Sequence, residues 1–339
     1  PDMNQLKIAV ILLNWNGEED SLACLAALQK QTMPCDIITV DNNSSDNFSQ
    51  IIQKEHSEVT LLQNSSNLGF AGGENTGIRH AIDKGYRYIA LINNDAVPAK
   101  KWIENLHRSM ESDSLIGICT GKLLRTNGLI DSTGDIYTSW GLAYPRGRDT
   151  EDLGLYNKQE FVFSGSGGAS MYRVTMLKDI GLFDEDFFAY YEDVDLSFRA
   201  QLAGWKILYQ PAAIAHHKVG ASSKKVSGLP TYMTIKNLPW LFWKNVPARL
   251  IPQILPRFIV AYSAILISSL LKGKVVPVTK GVFVANILLP KKIVQRQLIQ
   301  KSKEVSDNYI RSIIIHDLPP NAHKLRLLRS KMRKLSHRN

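Results

Sequence analysis

Short apolar, β-branched runs alternate with helix-like stretches through the first 120 residues, in the order 8–13, 18–29, 36–40, 47–56, 59–63, 73–84 and 88–92. Runs of that kind, separated by helices, pair as a parallel sheet covered on both faces. In such a sheet ligands bind at the carboxyl ends of the strands. Three of these strands end in amides or carboxylates: Asn14 (with Asn16 close behind), then Asp41, Asn42 and Asn43, then Asn93, Asn94 and Asp95. Capping or turn formation explains any one of these groups. Three at successive strand ends predict one polar cleft.

Asn93-Asn94-Asp95 is followed by Ala96-Val97-Pro98, so its polar groups have little to cap. A lone carboxylate in that place suits a hard divalent cation held partly by protein and partly by substrate phosphates. The stretch 64–77, NSSNLGFAGGENTG, reads as a glycine-rich loop feeding a helix over 78–84. Glycines admit a close backbone approach, and a helix start favours phosphate. The stretch fits neither GxGxxG nor the P-loop pattern, which argues against a dinucleotide oxidoreductase.

A second small-residue stretch, FVFSGSGGASM over 161–171, precedes a crowd of acids, Glu192, Asp193 and Asp195, at the start of a helix with apolar Val194, Leu196, Phe198 and Leu202. Carboxylates there answer the helix dipole. Three of them behind Tyr190 and Tyr191 exceed what capping needs, so the cluster holds a candidate general base whose proton affinity its neighbours raise. Arg199 is read as a salt-bridge partner of the cluster. An apolar strand over 206–215 leads to His216 and His217, and a histidine at a strand end is a credible metal ligand in a chain that already offers a strand-end aspartate.

Charge divides the chain. Lys and Arg number 41 against 31 Asp and Glu, but residues 1–217 carry 18 basic and 28 acidic side chains, whereas residues 218–339 carry 23 basic and 3 acidic. Excess confined to the last third, beside apolar runs, points to anionic lipid rather than to nucleic acid. The 14 uncharged residues 258–271 reach only about 21 Å as a helix, short of a hydrocarbon core of roughly 30 Å. Arg257, Pro256 and Pro252 discourage a backward extension, so a buried helix or an interfacial segment is expected. Three cysteines without CxxC spacing indicate a reducing compartment and no disulfide framework. The apolar run 8–13 is too short for a signal peptide and reads as a strand at a cytosolic start.

In order along the chain, VILLNWNG, VDNNSSD, NLGFAGGENTGI, LINNDAVP, SGSGGASMYR, GLFDEDFFAYYEDVDLSFRAQLAGW and HHKVGASS resemble family 2 glycosyltransferases, nearest to the rhamnosyltransferase-like branch. The resemblance implies an α/β fold of the GT-A type, a Rossmann-like mixed, mainly parallel sheet with helices on both faces, as a catalytic domain over 1–223. A basic, apolar-rich helical region over 224–339 follows. It implies inverting transfer of a sugar from a nucleotide diphosphate to an acceptor hydroxyl, in bacterial surface polysaccharide or lipid-linked glycan assembly. The nucleotide-sugar site maps onto Asn14, Asn16, Asp41, Asn43, Asn67, Gly69, Phe70, Gly72, Asn75, Asn93 and Asn94, with Gly77 closing the glycine motif. Asn93 stands where the family's DxD motif has its first acid, and Asp95 keeps the metal position. His217, at HxxGxS spacing to Gly220 and Ser222, is the second ligand of Mg²⁺ or Mn²⁺, in preference to His216. Asp193 matches the general base, with Glu192 near the acceptor.

By the same resemblance the favoured donor is dTDP-rhamnose, with UDP-galactofuranose and UDP-hexoses as alternatives. The QxxRW motif of processive synthases is absent, so addition of one or a few sugars is expected. The basic region implies a cytoplasmic enzyme seated peripherally on the inner face of the cytoplasmic membrane. A non-catalytic scaffold of a polysaccharide assembly complex is the competing reading.

Overall fold

The computed structural model describes residues 7–218 and 226–318, together with residues 322 and 326. Strand β1 (Ile8–Asn14) leads through helix α1 (Glu18–Leu28) to β2 (Asp36–Asp41), through α2 (Phe48–Glu55) to β3 (Thr60–Gln63), and through α3 (Gly69–Asp83) to β4 (Tyr88–Asn93). These four strands are parallel neighbours in the order β3-β2-β1-β4. After β5 (Ala96–Pro98) and α4 (Trp102–Glu111) come β6 (Ile116–Arg125), β7 (Ile130–Ser132), β8 (Asp135–Tyr137), β9 (Ala143–Pro145), β10 (Glu160–Phe161) and β11 (Ala169–Arg173). Helices α5 (Val174–Ile180) and α6 (Glu192–Leu202) precede β12 (Lys206–His217). The sheet reaches ten strands, with β11 antiparallel between β4 and β6, and β5 and β7 pairing at β12 and β6. Strands β8 and β9 form a separate hairpin. This is the GT-A architecture.

Strand β1 shows why both faces are covered. Ile8, Val10 and Leu12 pack with Leu25, Phe48, Trp102 and Leu106 on one side, while Ala9 and Ile11 pack with Ile78, Met176, Leu196 and Ala200 on the other. A strand buried on both faces has no polar alternation, which is why these runs are continuously apolar.

The stretch 64–77 differs from the loop expected of it: α3 already begins at Gly69. Gly69 takes a left-handed φ of 72° at the helix entry. Further along, a Cβ at Gly73 would lie 2.5 Å from Leu13 Cδ1, and one at Gly77 would lie 2.7 Å from Ile11 Cγ2. These glycines let a helix press onto β1, so their composition reports close packing rather than a loop.

The C-terminal region comprises α7 (Leu229–Asn245), α8 (Ile251–Leu271), α9 (Val275–Ile287), α10 (Leu289–Lys301) and α11 (Asp307–Ile313). Helix α8 runs back through both prolines expected to stop it. Pro252 lies in the first turn, where no N–H bond is needed, and Pro256 forfeits one bond to the carbonyl four residues earlier. An aromatic core of Tyr137, Phe163, Phe198, Trp240, Phe242 and Phe258 joins this region to α6 and the β8–β9 hairpin. The basic stretch 323–339 lies outside the described residues, Arg326 excepted.

Candidate active site

Sheet register brings the polar strand ends together. Asn14 is level with Asp41, and Leu13 with Asn93, so all three ends open on one edge. Buried Asn14 accepts from the Gly17 N–H (3.2 Å) and the Ser21 hydroxyl (2.7 Å), and donates to Ser44 Oγ (3.0 Å). Asn16 and Asn43 take left-handed φ values of 51° and 62°, which asparagine tolerates. Asn16 Oδ1 accepts from the Ser45 N–H at 2.7 Å, while the Asn43 side chain is exposed. Asp41 accepts from the Ser44 N–H (3.1 Å) and the Ser49 hydroxyl (2.6 Å). Asn42, buried beside them, donates to Asn67 Oδ1 (3.1 Å) and to the Gly69 carbonyl (2.9 Å), fixing the entry of α3.

The remaining members of the glycine motif lie on α3. A Cβ at Gly72 would meet Leu68 Cβ at 2.7 Å. Phe70 sits edge-on to Phe183 with ring centroids 6.1 Å apart. Asn75 donates to the Phe183 carbonyl (2.9 Å) and accepts from the Phe183 N–H (3.1 Å), and also donates to Glu185 Oε1 (2.9 Å). It therefore fastens the segment that leads to the acidic cluster.

At the end of β4, Asn94 donates to Ser21 Oγ at 3.0 Å and so ties β4 to α1. Asp95 and Asn93 turn to His217. Its Nε2 lies 2.9 Å from Asp95 Oδ1 and 3.3 Å from Asn93 Nδ2, and its Nδ1 lies 2.8 Å from Asp131 Oδ2. Strand alternation decides between the histidines, because His217 is buried in the site and His216 is exposed. Gly220 and Ser222 lie outside the described residues. Burial disfavours the imidazolium, but the hydrogen bonds to Asp131 and Asp95 outweigh it and lift the His217 pKa to about 9. Among the described residues no three His, Cys, Asp or Glu side chains form a metal cage. Asp95 and His217 are two donors that would suit a divalent cation, one that phosphate oxygens and water would complete. Asp131 on Nδ1 orients the ring so that Nε2 faces Asp95, the arrangement that would present Nε2 to a bound cation.

The acids of α6 separate into three environments. Asp193 is half-buried; its Oδ2 accepts from the Gly167 N–H at 2.9 Å and its Oδ1 from the Val194 N–H at 2.8 Å. Burial raises its pKa, while these N–H groups temper the rise. Glu192 is buried with one oxygen unpartnered, as are both oxygens of Glu74 on α3. Burial first, then a neighbouring carboxylate, pushes both above the usual carboxylate range. Asp195 is interior and ion-paired to Arg199 (3.0 Å) and Lys244 (2.8 Å), so Arg199 is structural.

The turn before α6 is strained. Phe188, Tyr190 and Tyr191 all have φ between 64° and 71°, conformations that persist only when their surroundings enforce them. Asn237 of α7 does so by donating to the carbonyls of Phe187 (3.1 Å), Ala189 (2.9 Å) and Tyr190 (2.8 Å). Gly167 and its neighbour Gly168 join the two halves of the site: the first donates to Asp193, and a Cβ on the second would lie 3.0 Å from Asn93 Nδ2.

Sequence reasoning missed Asp131, Asp135 and Arg148. The Arg148 guanidinium lies 3.2 Å from Asp131 Oδ1, donates through Nε to the Asp131 carbonyl at 3.1 Å, and tempers the charge of Asp193. Asp135 is buried, and burial together with the charge of Asp193 holds its carboxyl well above the usual range. These residues sit on strands of three residues or in loops, too short for periodicity to mark them.

Comparison with known proteins follows the same outline. The sequence model of glycosyl transferase family 2 matches residues 9–181. A low-salt glycan biosynthesis hexosyltransferase of Haloferax volcanii is 26% identical over 202 residues, 57% of this chain and 61% of that protein. An N-acetylglucosaminyl-diphospho-decaprenol L-rhamnosyltransferase of Mycobacterium tuberculosis is 27% identical over 234 residues, 59% of this chain and 72% of that protein. Among solved structures, the mannosyltransferase PcManGT from Pyrobaculum calidifontis, in complex with GDP-Man and Mn²⁺, superposes with a TM-score of 0.53 at 15% identity over 87% of this chain and 85% of that one. GalNAc-T7 with UDP, GalNAc and Mn²⁺ superposes with a TM-score of 0.54 at 16% identity, over 71% of this chain and 48% of that one.

Proposed function

The chain belongs to glycosyl transferase family 2, and from that premise we propose that it is an inverting, metal-dependent enzyme that moves one sugar from a nucleotide diphosphate to a hydroxyl of a lipid-linked glycan. The observation that carries this reading is the pair Gly167-Gly168, which sets the Asp193 carboxylate beside the Asn93–His217–Asp95 group.

Asp193, held by two backbone N–H groups and raised in pKa by burial, accepts the proton of the acceptor hydroxyl as its oxygen attacks the anomeric carbon. Asn14, Asn16, Asp41 and Asn43 frame the base and ribose at the ends of β1 and β2, with Asn94 holding α1 beside them. Asn67, Gly69, Phe70, Gly72 and Asn75 form the wall behind the sugar. Asp95 and His217 hold the cation, and Asp131 orients the His217 ring. The bound Mg²⁺ or Mn²⁺ supplies positive charge against the leaving diphosphate. Arg148 adds a cation between Asp131 and Asp193. Glu192, buried beside Asp193, lies on the acceptor side.

The favoured donor is dTDP-rhamnose, a reading supported by the named activity of the mycobacterial relative; UDP-galactofuranose and UDP-hexoses are the alternatives. The basic C-terminal third supports a working position in the cytoplasm on the inner face of the membrane, where a lipid-linked acceptor is presented.

Thermal shift against dTDP-rhamnose, UDP-galactofuranose, UDP-glucose, UDP-N-acetylglucosamine and GDP-mannose, each with and without Mn²⁺, tests the proposal. Ligand at about 100 times its Kd stabilises the folded state by roughly 2.7 kcal/mol. A metal-enhanced shift with one donor is expected, and no shift with any of them favours the scaffold reading.

A further inference from the structure

The fully buried side chains of α8 all lie in its first half. Ile254, Phe258 and Ala261 face inward, and Phe258 stacks on Phe242 at 4.6 Å. Beyond them Tyr262, Ala264 and Ile265 rest half-buried on the same core, while other apolar side chains face outward. Ile267 is 57% exposed, Leu271 83%, and across the turn Val276 is 74% and Phe283 65% exposed. Leu270, Val278, Val282, Phe283 and Ile287 line an open apolar cleft of about 690 Å³ between α8 and α9. A contiguous apolar surface of this kind marks an interaction site.

Charge selects the occupant. No Asp or Glu occurs between residues 218 and 303, and Lys272, Lys274 and Lys280, all exposed, border the apolar residues. Apolar side chains rimmed by lysine alone match a bilayer with an anionic surface. Length rules out a spanning hairpin. Ala248–Leu271 is long and apolar enough to cross, but Ile254, Phe258 and Ala261 anchor its first half on the protein. The 13 residues of α9 extend only about 20 Å, short of the roughly 30 Å needed to return.

We propose that the outer face of the α8–α9 hairpin inserts into an anionic bilayer, with acyl chains occupying the cleft beside Phe283 and Lys272, Lys274 and Lys280 meeting lipid phosphates. This deepens the lipid-linked acceptor reading and rests on it, and it places the insertion on α9 rather than on the 258–271 run alone.

Flotation of the full chain with vesicles of phosphatidylcholine, and of phosphatidylcholine mixed with phosphatidylglycerol, tests the proposal. The native chain floats with the mixed vesicles, and Val276→Asp and Phe283→Asp each lower partitioning about tenfold, the worth of one buried apolar side chain. Both positions are exposed, so Tm and nucleoside diphosphate binding stay unchanged, and Leu155→Asp, at an exposed site on a distant loop, floats like the native chain. Absence of flotation, undiminished flotation of both variants, or a native dimer that the variants dissociate overturns the membrane face. Donor-induced thermal shifts are read separately: shifts without flotation sink this face alone, and flotation without shifts sinks the transferase reading.

Discussion

Asp131 and His217 are 86 residues apart in sequence and 2.8 Å apart in the fold, through His217 Nδ1. With Asp95 on Nε2, the ring is clamped between two carboxylates, so its orientation is set before any ligand arrives. Asp131→Asn is expected to weaken Mn²⁺-supported binding of the donor about 10- to 100-fold. Metal-free nucleotide binding should hold its native value. Calorimetric titration with and without Mn²⁺ checks this, and equal Mn²⁺ enhancement in native and variant protein would discard the positioning role.

Asp193→Asn keeps an acceptor oxygen for only one of the Gly167 and Val194 N–H groups, sets an amide NH2 against the other, and removes the base. Turnover is expected to fall about 10²- to 10⁴-fold, with the donor-induced shift retained and stability lowered by about 1–3 kcal/mol for the N–H left without an acceptor. Single-turnover transfer alongside thermal shift measures both, and a variant that transfers at the native rate rules out Asp193 as the base.

The second buried charge system is structural. Lys292, fully buried, reaches Asp184 Oδ2 and Asp186 Oδ2, both at 2.7 Å, and Lys244 joins Asp184 (2.7 Å) to Asp195 (2.8 Å). Lys292→Met strips one partner from buried carboxylates and should cost about 3–5 kcal/mol in urea denaturation. A loss under 1 kcal/mol would show that solvent already compensates these charges.

The same cluster fixes an acid dependence. Burial would raise the Asp184 pKa, but Lys244 and Lys292 overcome it and hold the carboxyl well below the usual carboxylate range. A pKa lowered on folding contributes stability that is fully present above the unfolded value of about 3.9 and is lost as pH falls through the folded one. Stability should therefore decline on acidification below about pH 4, and Lys292→Met should shallow that decline. Urea midpoints across the acid range decide it; parallel slopes would refute the assignment.

Gly69 combines a φ of 72° with a hypothetical Cβ only 2.4 Å from the Phe188 carbonyl oxygen. Gly69→Ala should cost roughly 1–3 kcal/mol and disturb the strained turn before Asp193. Denaturant titration and transfer rate together test this, since a neutral effect on both would mean the turn shifts freely.

The sheet and its polar edge were legible because parallel strands buried on both faces leave uninterrupted apolar runs, and Asn14, Asp41 and Asp95 stand where those runs stop. The start of α3 was not, since glycines that admit close packing have the same composition as a loop. Pro252 and Pro256 misled in the opposite direction, because one lost hydrogen bond is tolerated in a helix fastened by Phe258. Asp131 carried no local signal; its meaning comes from β7 lying beside β6 and from the end of β12. The charge split was visible, but its partial cause was not. Lys236, Lys244 and Lys292 are buried, so part of the basic excess answers acids of the first 217 residues.

Those buried lysines also limit how such a protein can be recombined. Helices α7 and α10 hold the carboxylates and carbonyls of 184–195, so helices grafted from a relative would leave Asp184 charged and unmatched, and Asp195 with Arg199 alone, unless the relative's own turn came with them. Helices α7 and α10 and the turn that leads to Asp193 therefore form one block, to be altered by substitution within it or exchanged whole.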